Sequence, residues 1–434
     1  MQIKGNVRMS AVHEILKDIE IPNMIAMTQE FPRPKIEEVR ASVIQELRKP
    51  EICGRIASGM KIAIGVGSRG IANYQLIIKT IVDEIKEKGA VPYIVAAMGS
   101  HGGACEEGQR EILSGYGITE ENMGCPLKIG TDTKVIGETE EGLPVQIDAY
   151  AAEADGIVIV NRIKPHTAFT GPYESGLMKM LAIGLAKQPG ADYCHSRGFG
   201  KMAQMVPKFG TAIIRFSNLL FGIGIVENSY DETCVLKAIP AEKIGEEEPE
   251  LLKAAKANLS HILLPKADIL VVHEIGKNIS GDGMDPNVSG TFATPYASGG
   301  VDVQRVAVLN ITEESHGNTI GWGMADMSTQ KAFDRFDKDV TYPNTLTCRV
   351  TQVSKIPMIF DNDQLCIKAA IKTCADIDVK RPKIIYIKNT LHMSKIMISE
   401  ALIDEAEKLE NARLEGDCGP LEFDEMGNIS RDYF

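Results

Sequence analysis

The sequence predicts an α/β protein built from two α/β domains with mostly parallel sheets and an active-site cleft between them. The chain has 434 residues, which at roughly 100–200 residues per domain is long enough for two domains. Apolar residues make up 44% and charged residues 24%, a composition that excludes a disordered chain, a collagen-like repeat and a coiled coil. Short apolar runs alternate with helical stretches, as in parallel sheets covered by helices.

The first half of the chain alternates between helices and strands. Helical periodicity marks the helices, and short apolar runs mark buried strands. Because open parallel sheets bind ligands beyond the carboxyl ends of their strands, the polar loops after these strands are the first candidates for a site. The predicted segments are a helix over 36–48, a strand over 61–66, a helix over 74–88 capped by Asn73, a strand over 91–97, a helix over 106–115 and a strand over 156–161.

The second half predicts another α/β unit. We divide the chain into an N-terminal domain over residues 1–270, which carries the catalytic and cofactor residues, and a C-terminal domain over 271–434, which closes the cleft. From Glu400 onward eleven acidic residues stand against three basic ones, which predicts an acidic helix and tail. The predicted segments are a connecting helix over 246–259, strands over 268–273, 304–310 and 383–387, and helices near 322–335, 364–375 and 396–411.

The charge balance narrows the choice of partners. The net charge is −12, which disfavours general binding to nucleic acid or to a membrane surface. Residues 162–215 differ, with eight Lys or Arg against only Glu174 and Asp192. This basic window is either a solvated surface or the binding site of an anionic ligand.

Other features indicate the compartment. No uncharged apolar run approaches the ~18 residues of a membrane span, and the chain starts without the apolar segment of a secretory signal. The nine cysteines form no CxxC pair, which argues against disulfides and a structural zinc site. These features predict a cytoplasmic protein.

A glycine-rich loop follows the strand over 61–66. Gly65, Gly67 and Gly70 match the spacing of the dinucleotide-binding fingerprint, and such glycines let a phosphate approach a helix N-terminus. The acidic residue expected at the end of the next strand, to bind the ribose, is missing. Arg69 adds a guanidinium suited to a phosphate or carboxylate. The loop with Ser68 is therefore a candidate for a mononucleotide or an acidic substrate, or a turn without a ligand.

Two histidines follow predicted strands. His101 lies in Gly99-Ser-His-Gly-Gly103, and His166 directly follows Pro165 in Arg162-Ile-Lys-Pro-His166. Imidazoles with pKa values near neutrality can act as base on one side of a carbon and as acid on the other, which suits racemisation. The alternative is two unrelated histidines.

A lysine and a third histidine complete the candidate residues of this half. Lys179 lies in the otherwise apolar stretch 176–186, where a desolvated lysine has a lowered pKa and a nucleophilic amine. The alternative is a lysine whose ammonium reaches the surface. His195 follows sixteen residues later without HExxH or CxxC, so a metal there would need ligands from a cofactor. In the second half, Lys277 lies in a polar glycine-rich loop that either contacts an anion or links the domains.

Taken together, Gly99-Ser-His101, Lys164-Pro-His166, Lys179 and His195 resemble the nickel-pincer-nucleotide lactate racemase family. The resemblance implies a 2-hydroxyacid racemase or epimerase that works by hydride transfer to and from a nickel-pincer nucleotide, a pyridinium-3-thioamide-5-thiocarboxylic acid mononucleotide. Lys179 would be the covalent attachment point, His195 the nickel ligand, and His101 and His166 the acid/base pair. The remaining cofactor- or substrate-binding residues would be Arg69 with Gly67, Ser68 and Gly70, and Lys277.

This chain departs from the family pattern at two places. Val66 stands where the family commonly has an Asp three residues before the arginine, and the interval from His166 to Lys179 is about three residues longer, with Gly171-Pro-Tyr-Glu174 as the insertion. Both favour a small anionic 2-hydroxy acid other than lactate, such as a sugar acid. The implied partners are the cofactor biosynthesis enzymes, and a homo-oligomer is left open. The alternatives are an NAD(P)-type oxidoreductase and a non-catalytic member that binds a nucleotide or the cofactor.

Overall fold

A computed structural model describes residues 10–434. The chain forms two compact units. We call them the five-stranded unit, Pro32–Leu259 with Thr347–Arg349, and the eight-stranded unit, which contains residues 10–31, Ser260–Leu346 and Val350–Phe434. Within the described residues, no helix is both long and apolar enough to cross a membrane.

The strands are short and predominantly apolar. In chain order they are β1 Met24–Gln29, β2 Lys61–Val66, β3 Val91–Ala96, β4 Thr133–Glu138, β5 Pro144–Asp148, β6 Gly156–Arg162, β7 Leu219–Glu227, β8 Thr233–Pro240, β9 Ile269–Val272, β10 Arg305–Val308, β11 Met327–Thr329, β12 Met358–Phe360, β13 Ile384–Ile387, β14 Lys395–Ser399 and β15 Ala412–Gly419.

The α-helices range from one to four turns. They are α1 Ala11–Leu16, α2 Val39–Leu47, α3 Pro50–Cys53, α4 Tyr74–Glu87, α5 Glu106–Gly115, α6 Glu120–Met123, α7 Ala149–Ala152, α8 Leu177–Lys179, α9 Lys187–Ser196, α10 Met202–Phe216, α11 Ile244–Ala257, α12 Pro286–Ser289, α13 Gln330–Phe333, α14 Lys338–Cys348, α15 Asp363–Thr373 and α16 Ile403–Ala406. A π-helical segment, Met180–Leu185, joins α8 to α9.

The five-stranded unit contains a sheet in the order β3-β2-β6-β7-β8. Its first four strands are parallel, and β8 pairs antiparallel with β7 at the edge. After its first residue, each of β2 and β3 is buried throughout, because helices cover both faces of a parallel sheet and leave no polar side of the strand. A separate hairpin consists of β4 and β5.

The eight-stranded unit contains a mixed sheet in the order β12-β11-β10-β9-β13-β14-β1-β15. The strands from β12 to β13 are parallel, and the remaining pairs are antiparallel. One face packs on α15, whose apolar residues form a core with the strands. Both units are thus α/β with mostly parallel pairing, and the predicted fold class is confirmed.

Several predicted elements differ from the structure. The predicted helix over 322–335 is wrong: it is a turn, the strand β11 and the short α13, and the Trp322 indole N–H donates to Ser328 Oγ at 2.8 Å. The predicted helix over 396–411 is also wrong, because residues 395–399 form β14, whose Ile398 pairs with strands on both sides. Asn73 precedes α4 but donates its side-chain N–H to Thr233 Oγ1 instead of capping the helix.

The division into units also differs from the predicted boundary at residue 270. The change of unit lies at Ser260, and residues 10–31 belong with the C-terminal part of the chain. The reason is β1, which pairs with β14 and β15 and so carries the start of the chain into the eight-stranded sheet. The acidic end of the chain is a packed segment, since Tyr433 and Phe434 lie against the same core.

Candidate functional site

The loops after β2, β3 and β6 lie at one edge of the five-stranded sheet. These three strands are adjacent and parallel, with Val66 opposite Ala96 and Val160. The loops that follow carry Gly67–Gly70, His101 and His166. The candidate residues of the first half therefore start from neighbouring strand ends, as expected for a ligand site in such a sheet.

The glycine loop after β2 is closed by bonds to other parts of the unit. The Gly67 N–H donates to the hydroxyl of Tyr74 at 2.9 Å, and the Ala72 N–H donates to Glu227 Oε1 at 2.6 Å. Two backbone N–H groups of the loop before α4 are thus already taken by protein acceptors and are not available to a bound phosphate. A Cβ at Gly67 would lie 3.4 Å from Met180 Cε, so this glycine allows close packing against the segment after Lys179.

His101 is exposed and is paired with the β2 loop. Its Nδ1 shares a hydrogen bond with the hydroxyl of Ser68, and the loop before it is anchored by a bond from the Gly99 N–H to the Gly184 carbonyl oxygen at 3.0 Å. The exposed Arg69 follows Ser68 directly. The structure therefore brings His101 and Ser68 together beside a guanidinium-bearing loop.

His166 and Lys179 form the closest pair of candidate residues. Lys179 Nζ and His166 Nε2 lie 2.7 Å apart, and the Ala168 N–H donates to His166 Nδ1 at 3.0 Å. The ring of His166 packs against Phe169, with centroids 4.4 Å apart, and faces Phe199 at 6.0 Å. Both ring nitrogens are therefore engaged, and the apolar rings cover one part of this half-buried pair.

His195 lies in α9, and its ring centroid is 5.5 Å from that of Phe199. Its Nδ1 is buried and has no hydrogen-bond partner among residues 10–434. Buried polar atoms are nearly always satisfied, so an unpartnered imidazole nitrogen indicates a ligand site. Phe199 contacts both His166 and His195, which places the two imidazoles around one ring.

The electrostatics keep both imidazoles neutral. Burial, followed by the charges of Lys179, Lys164 and His195, holds the pKa of His166 well below its ordinary value. Burial, followed by the charges of Lys179 and Arg349, lowers the pKa of His195 to about 4. A neutral imidazole is the form that ligates a metal or accepts a proton.

Glu174 is a site residue that sequence reasoning did not assign. It is 2% exposed, and its carboxylate accepts the His166 N–H at 2.8 Å, the Gly171 N–H at 3.3 Å and an N–H of the Lys256 ammonium at 2.6 Å. The only signal in the sequence was its place in the Gly171–Glu174 insertion. Glu174 fixes the backbone that carries His166.

A buried lysine supports the neighbouring loop. Lys187 is 1% exposed, donates to the Ala96 carbonyl oxygen at 2.6 Å and forms an ion pair with Asp148 at 2.9 Å. It also contacts Gln109, which donates to the His101 carbonyl oxygen. In the sequence analysis Lys187 was only one of the basic residues of the 162–215 window, because no local sequence pattern predicts that it is buried.

A buried carboxyl lies beneath Lys179. Glu248 Oε2 accepts the Met178 N–H at 2.8 Å, while Oε1 is buried with no hydrogen-bond partner among the described residues. Burial raises the pKa of Glu248 to about 7. Gly176 is required beside it, since a Cβ there would lie 2.0 Å from Oε1.

Lys277 belongs to the eight-stranded unit. It follows β9, and its ammonium donates to the Gly281 carbonyl oxygen at 2.6 Å. Its backbone N–H donates to Ser315 Oγ at 3.0 Å. Its predicted contact with a cofactor or substrate stays a prediction.

The residues present can be compared with the cofactor that the resemblance implies. Residues 10–434 hold no cluster of three or more His, Cys, Asp or Glu side chains that could bind a metal by themselves. A nickel ion held mainly by its own organic ligand needs only one imidazole, and His195 offers an unpartnered, neutral one. Lys179 offers an amine, whose charge is one cause of the lowered pKa of His195. The donor set therefore fits such a group.

Comparison with known proteins finds similarity to a protein family and to a solved structure. Residues 16–205 match the lactate racemase N-terminal domain family. The structure is similar to that of the lactate racemase apoprotein from Thermoanaerobacterium thermosaccharolyticum, with a TM-score of 0.53 and 16% sequence identity, over 84% of this chain and 94% of that chain. At this identity the structural likeness shows the fold. No curated protein sequence matches.

Proposed function

This chain belongs to the lactate racemase family through its residues 16–205, and on that premise we propose that it is a racemase or epimerase of small anionic 2-hydroxy acids. The observation that most supports this proposal is that Lys179 is bonded to His166 and that His166 and His195 both contact Phe199. These residue types, in this order along the chain, are those of the family pattern. Their individual roles below are part of the proposal.

Two residues would hold the nickel-pincer nucleotide. Lys179 would bind it covalently through Nζ, and His195 would ligate the nickel through an imidazole nitrogen. When bound, the group would supply a reversible hydride acceptor for the substrate Cα. The apolar surroundings of His166 and His195 would exclude water from the reacting atoms.

The proton chemistry falls to His101 and His166. In each direction one imidazole would take the proton of the 2-hydroxyl group and the other would return it, so that each enantiomer has its own base. The lowered pKa of His166 keeps its imidazole neutral. Arg69 would bind the substrate carboxylate, and Lys277 would contact the substrate or cofactor.

Two features favour a substrate other than lactate. Val66 replaces the acidic residue common in the family, and Glu174 in the insertion shapes the loop that carries His166. We therefore favour a larger 2-hydroxy acid, such as a sugar acid. Because all nine cysteines are free thiols, we propose a reducing, cytoplasmic location, where the cofactor biosynthesis enzymes would be partners.

The test is to express the chain with the cofactor biosynthesis enzymes and to screen 2-hydroxy acids by chiral chromatography. We expect nickel in the purified protein, an added mass on the peptide that contains Lys179, and inversion of at least one acid. The matched controls are Lys179→Ala, which loses the added mass, and Lys256→Ala outside the proposed chemistry, which keeps it.

Three results would contradict the proposal in different ways. Absence of both nickel and added mass would remove the cofactor assignment. Binding of a nicotinamide cofactor by calorimetry would favour an oxidoreductase. If the protein takes up the cofactor but turns over no 2-hydroxy acid, and if the His101 and His166 variants behave like the unaltered chain, the protein is a non-catalytic carrier.

A further inference from the structure

Both nitrogens of the His166 ring are hydrogen-bonded, and one partner has a fixed role. The Ala168 backbone N–H, 3.0 Å from Nδ1, can only donate. Nδ1 is therefore the unprotonated nitrogen. A neutral imidazole carries one proton, so that proton lies on Nε2.

The second bond then determines the state of Lys179. Nε2 carries the proton and donates, so Lys179 Nζ, 2.7 Å away, must accept. An ammonium group has three donors and no lone pair, whereas a neutral amine has one lone pair. These two bonds together indicate a neutral Lys179 amine that accepts from His166.

Basic side chains lie near the pair. Lys164 faces His166 from the loop after β6, and His195 faces Lys179 from α9. Arg349 adds a positive charge near His195. The carboxylate of Glu174 is engaged by the His166 backbone N–H and by Lys256. A neutral Lys179 avoids adding a further positive charge near Lys164 and Arg349.

We propose that, in the chain without cofactor, His166 holds Lys179 as a neutral amine that is ready for acylation, and that acylation of Nζ releases His166. This inference rests on the proposed function for its meaning: Lys179 would be loaded with an activated carboxyl derivative, and His166 would become available to the substrate only after loading.

The chemical step balances without an oxidant or reductant. The Nζ lone pair attacks the carbonyl carbon of the acyl donor, an N–C bond forms, and the bond to the leaving group breaks with its electron pair. One Nζ proton passes to solvent. The resulting amide nitrogen has a delocalised lone pair and donates only, so it no longer accepts from His166 Nε2, and that bond is lost.

The experiment is trace acetylation of the full-length, cofactor-free chain with acetic anhydride between pH 7 and pH 9, read by peptide mass spectrometry. Attack by Nζ releases acetate. Lys266, whose side chain is 73% exposed, is the internal control. The acetylation rate of an ordinary lysine amine rises about tenfold per pH unit over this range. We expect the rate at Lys179 to change less than about twofold over this range.

The dependence of the acetylation rate on pH tests the proposal, because limited access to Lys179 lowers the absolute rate without changing its dependence on pH. A rise at Lys179 parallel to that at Lys266 would overturn the proposal. In His166→Phe, which removes the donor to Nζ, we expect the Lys179 profile to become steeper, while His392→Phe, at an exposed histidine, should leave it unchanged.

A second readout applies if His166→Phe does not fold. In nitrogen-15 spectra of the unaltered chain, His166 should show a protonated Nε2 and an unprotonated Nδ1, and the opposite tautomer would refute the inference. Neither measurement uses nickel, cofactor or a hydroxy acid. If no acid is racemised but the acetylation rate of Lys179 does not change with pH, the proposed function is refuted and this inference stands. If an acid is racemised but the rate at Lys179 rises in parallel with that at Lys266, only the inference about His166 and Lys179 is refuted.

Discussion

Replacing the buried carboxyl of Glu248 should remove a pH dependence of stability from the five-stranded unit. Burial raises the pKa of Glu248 from 4.5 to about 7. Between these values the folded chain holds a proton that the unfolded chain has released. Glu248 therefore contributes stability that is fully present below pH 4.5 and is lost as the pH rises through 7.

The magnitude follows from the size of the shift. A change from 4.5 to about 7, at about 1.4 kcal/mol per pKa unit, corresponds to about 3 kcal/mol. Glu248→Gln keeps an oxygen that can accept the Met178 N–H and carries no charge at any pH. The free energy of unfolding of Glu248→Gln minus that of the unaltered chain should therefore rise by about 3 kcal/mol from pH 4.5 to pH 8.

The assay is urea unfolding at both pH values, followed by circular dichroism. Trp322, the only tryptophan, lies in the eight-stranded unit, so its fluorescence identifies the transition of that unit, and the other transition belongs to the five-stranded unit. Glu246→Gln is the matched control, because Glu246 is exposed on the same helix. A difference between Glu248→Gln and the unaltered chain that stays constant with pH would refute the reasoning.

Two further predictions concern buried charges that hold the histidine loops. Glu174→Gln removes the charged acceptor of the His166 N–H, a bond worth about 1.5–3 kcal/mol. This substitution should lower kcat of the loaded enzyme by tenfold or more with KM nearly unchanged. A change in KM alone would contradict a positioning role for Glu174. Lys256→Gln should have a smaller effect, because the Lys256 side chain is 43% exposed. Lys187→Met leaves the buried Asp148 unpaired and should lower the free energy of unfolding by about 3–5 kcal/mol. Adding Asp148→Asn should restore part of this loss, and equal urea midpoints for Lys187→Met and the unaltered chain would show that the pair contributes nothing.

Local sequence patterns predicted three of the five strands in the sheet of the five-stranded unit, whereas β7 and β8 were not predicted. The strands β2, β3 and β6 were found within a residue or two of their ends, because each is a short run of buried apolar residues bounded by polar or glycine residues. The helices α4 and α5 were found for the same local reason. The loops that carry His101 and His166 were located by the general property of parallel strands that their carboxyl ends share one edge.

Long-range pairing decided what the sequence could not. Residues 396–411 have helical spacing, yet Lys395–Ser399 is a strand because β1 and β13 pair on either side of it. The start of the chain joined the eight-stranded sheet through the same pairing. Propensity is a weak prior, and tertiary hydrogen bonds and burial override it.

By itself, the sequence determined the fold class, the strand ends and the identity of the candidate side chains, because these depend on local periodicity and on residue chemistry. Only the tertiary structure decided which of those side chains meet and which buried charges support them. It paired Lys179 with His166, left His195 Nδ1 without a hydrogen-bond partner among residues 10–434, and bonded Glu174 to the His166 backbone N–H. The physical reason is that hydrogen bonds and burial depend on atoms brought together from distant parts of the chain, and spacing along the chain does not record those distances.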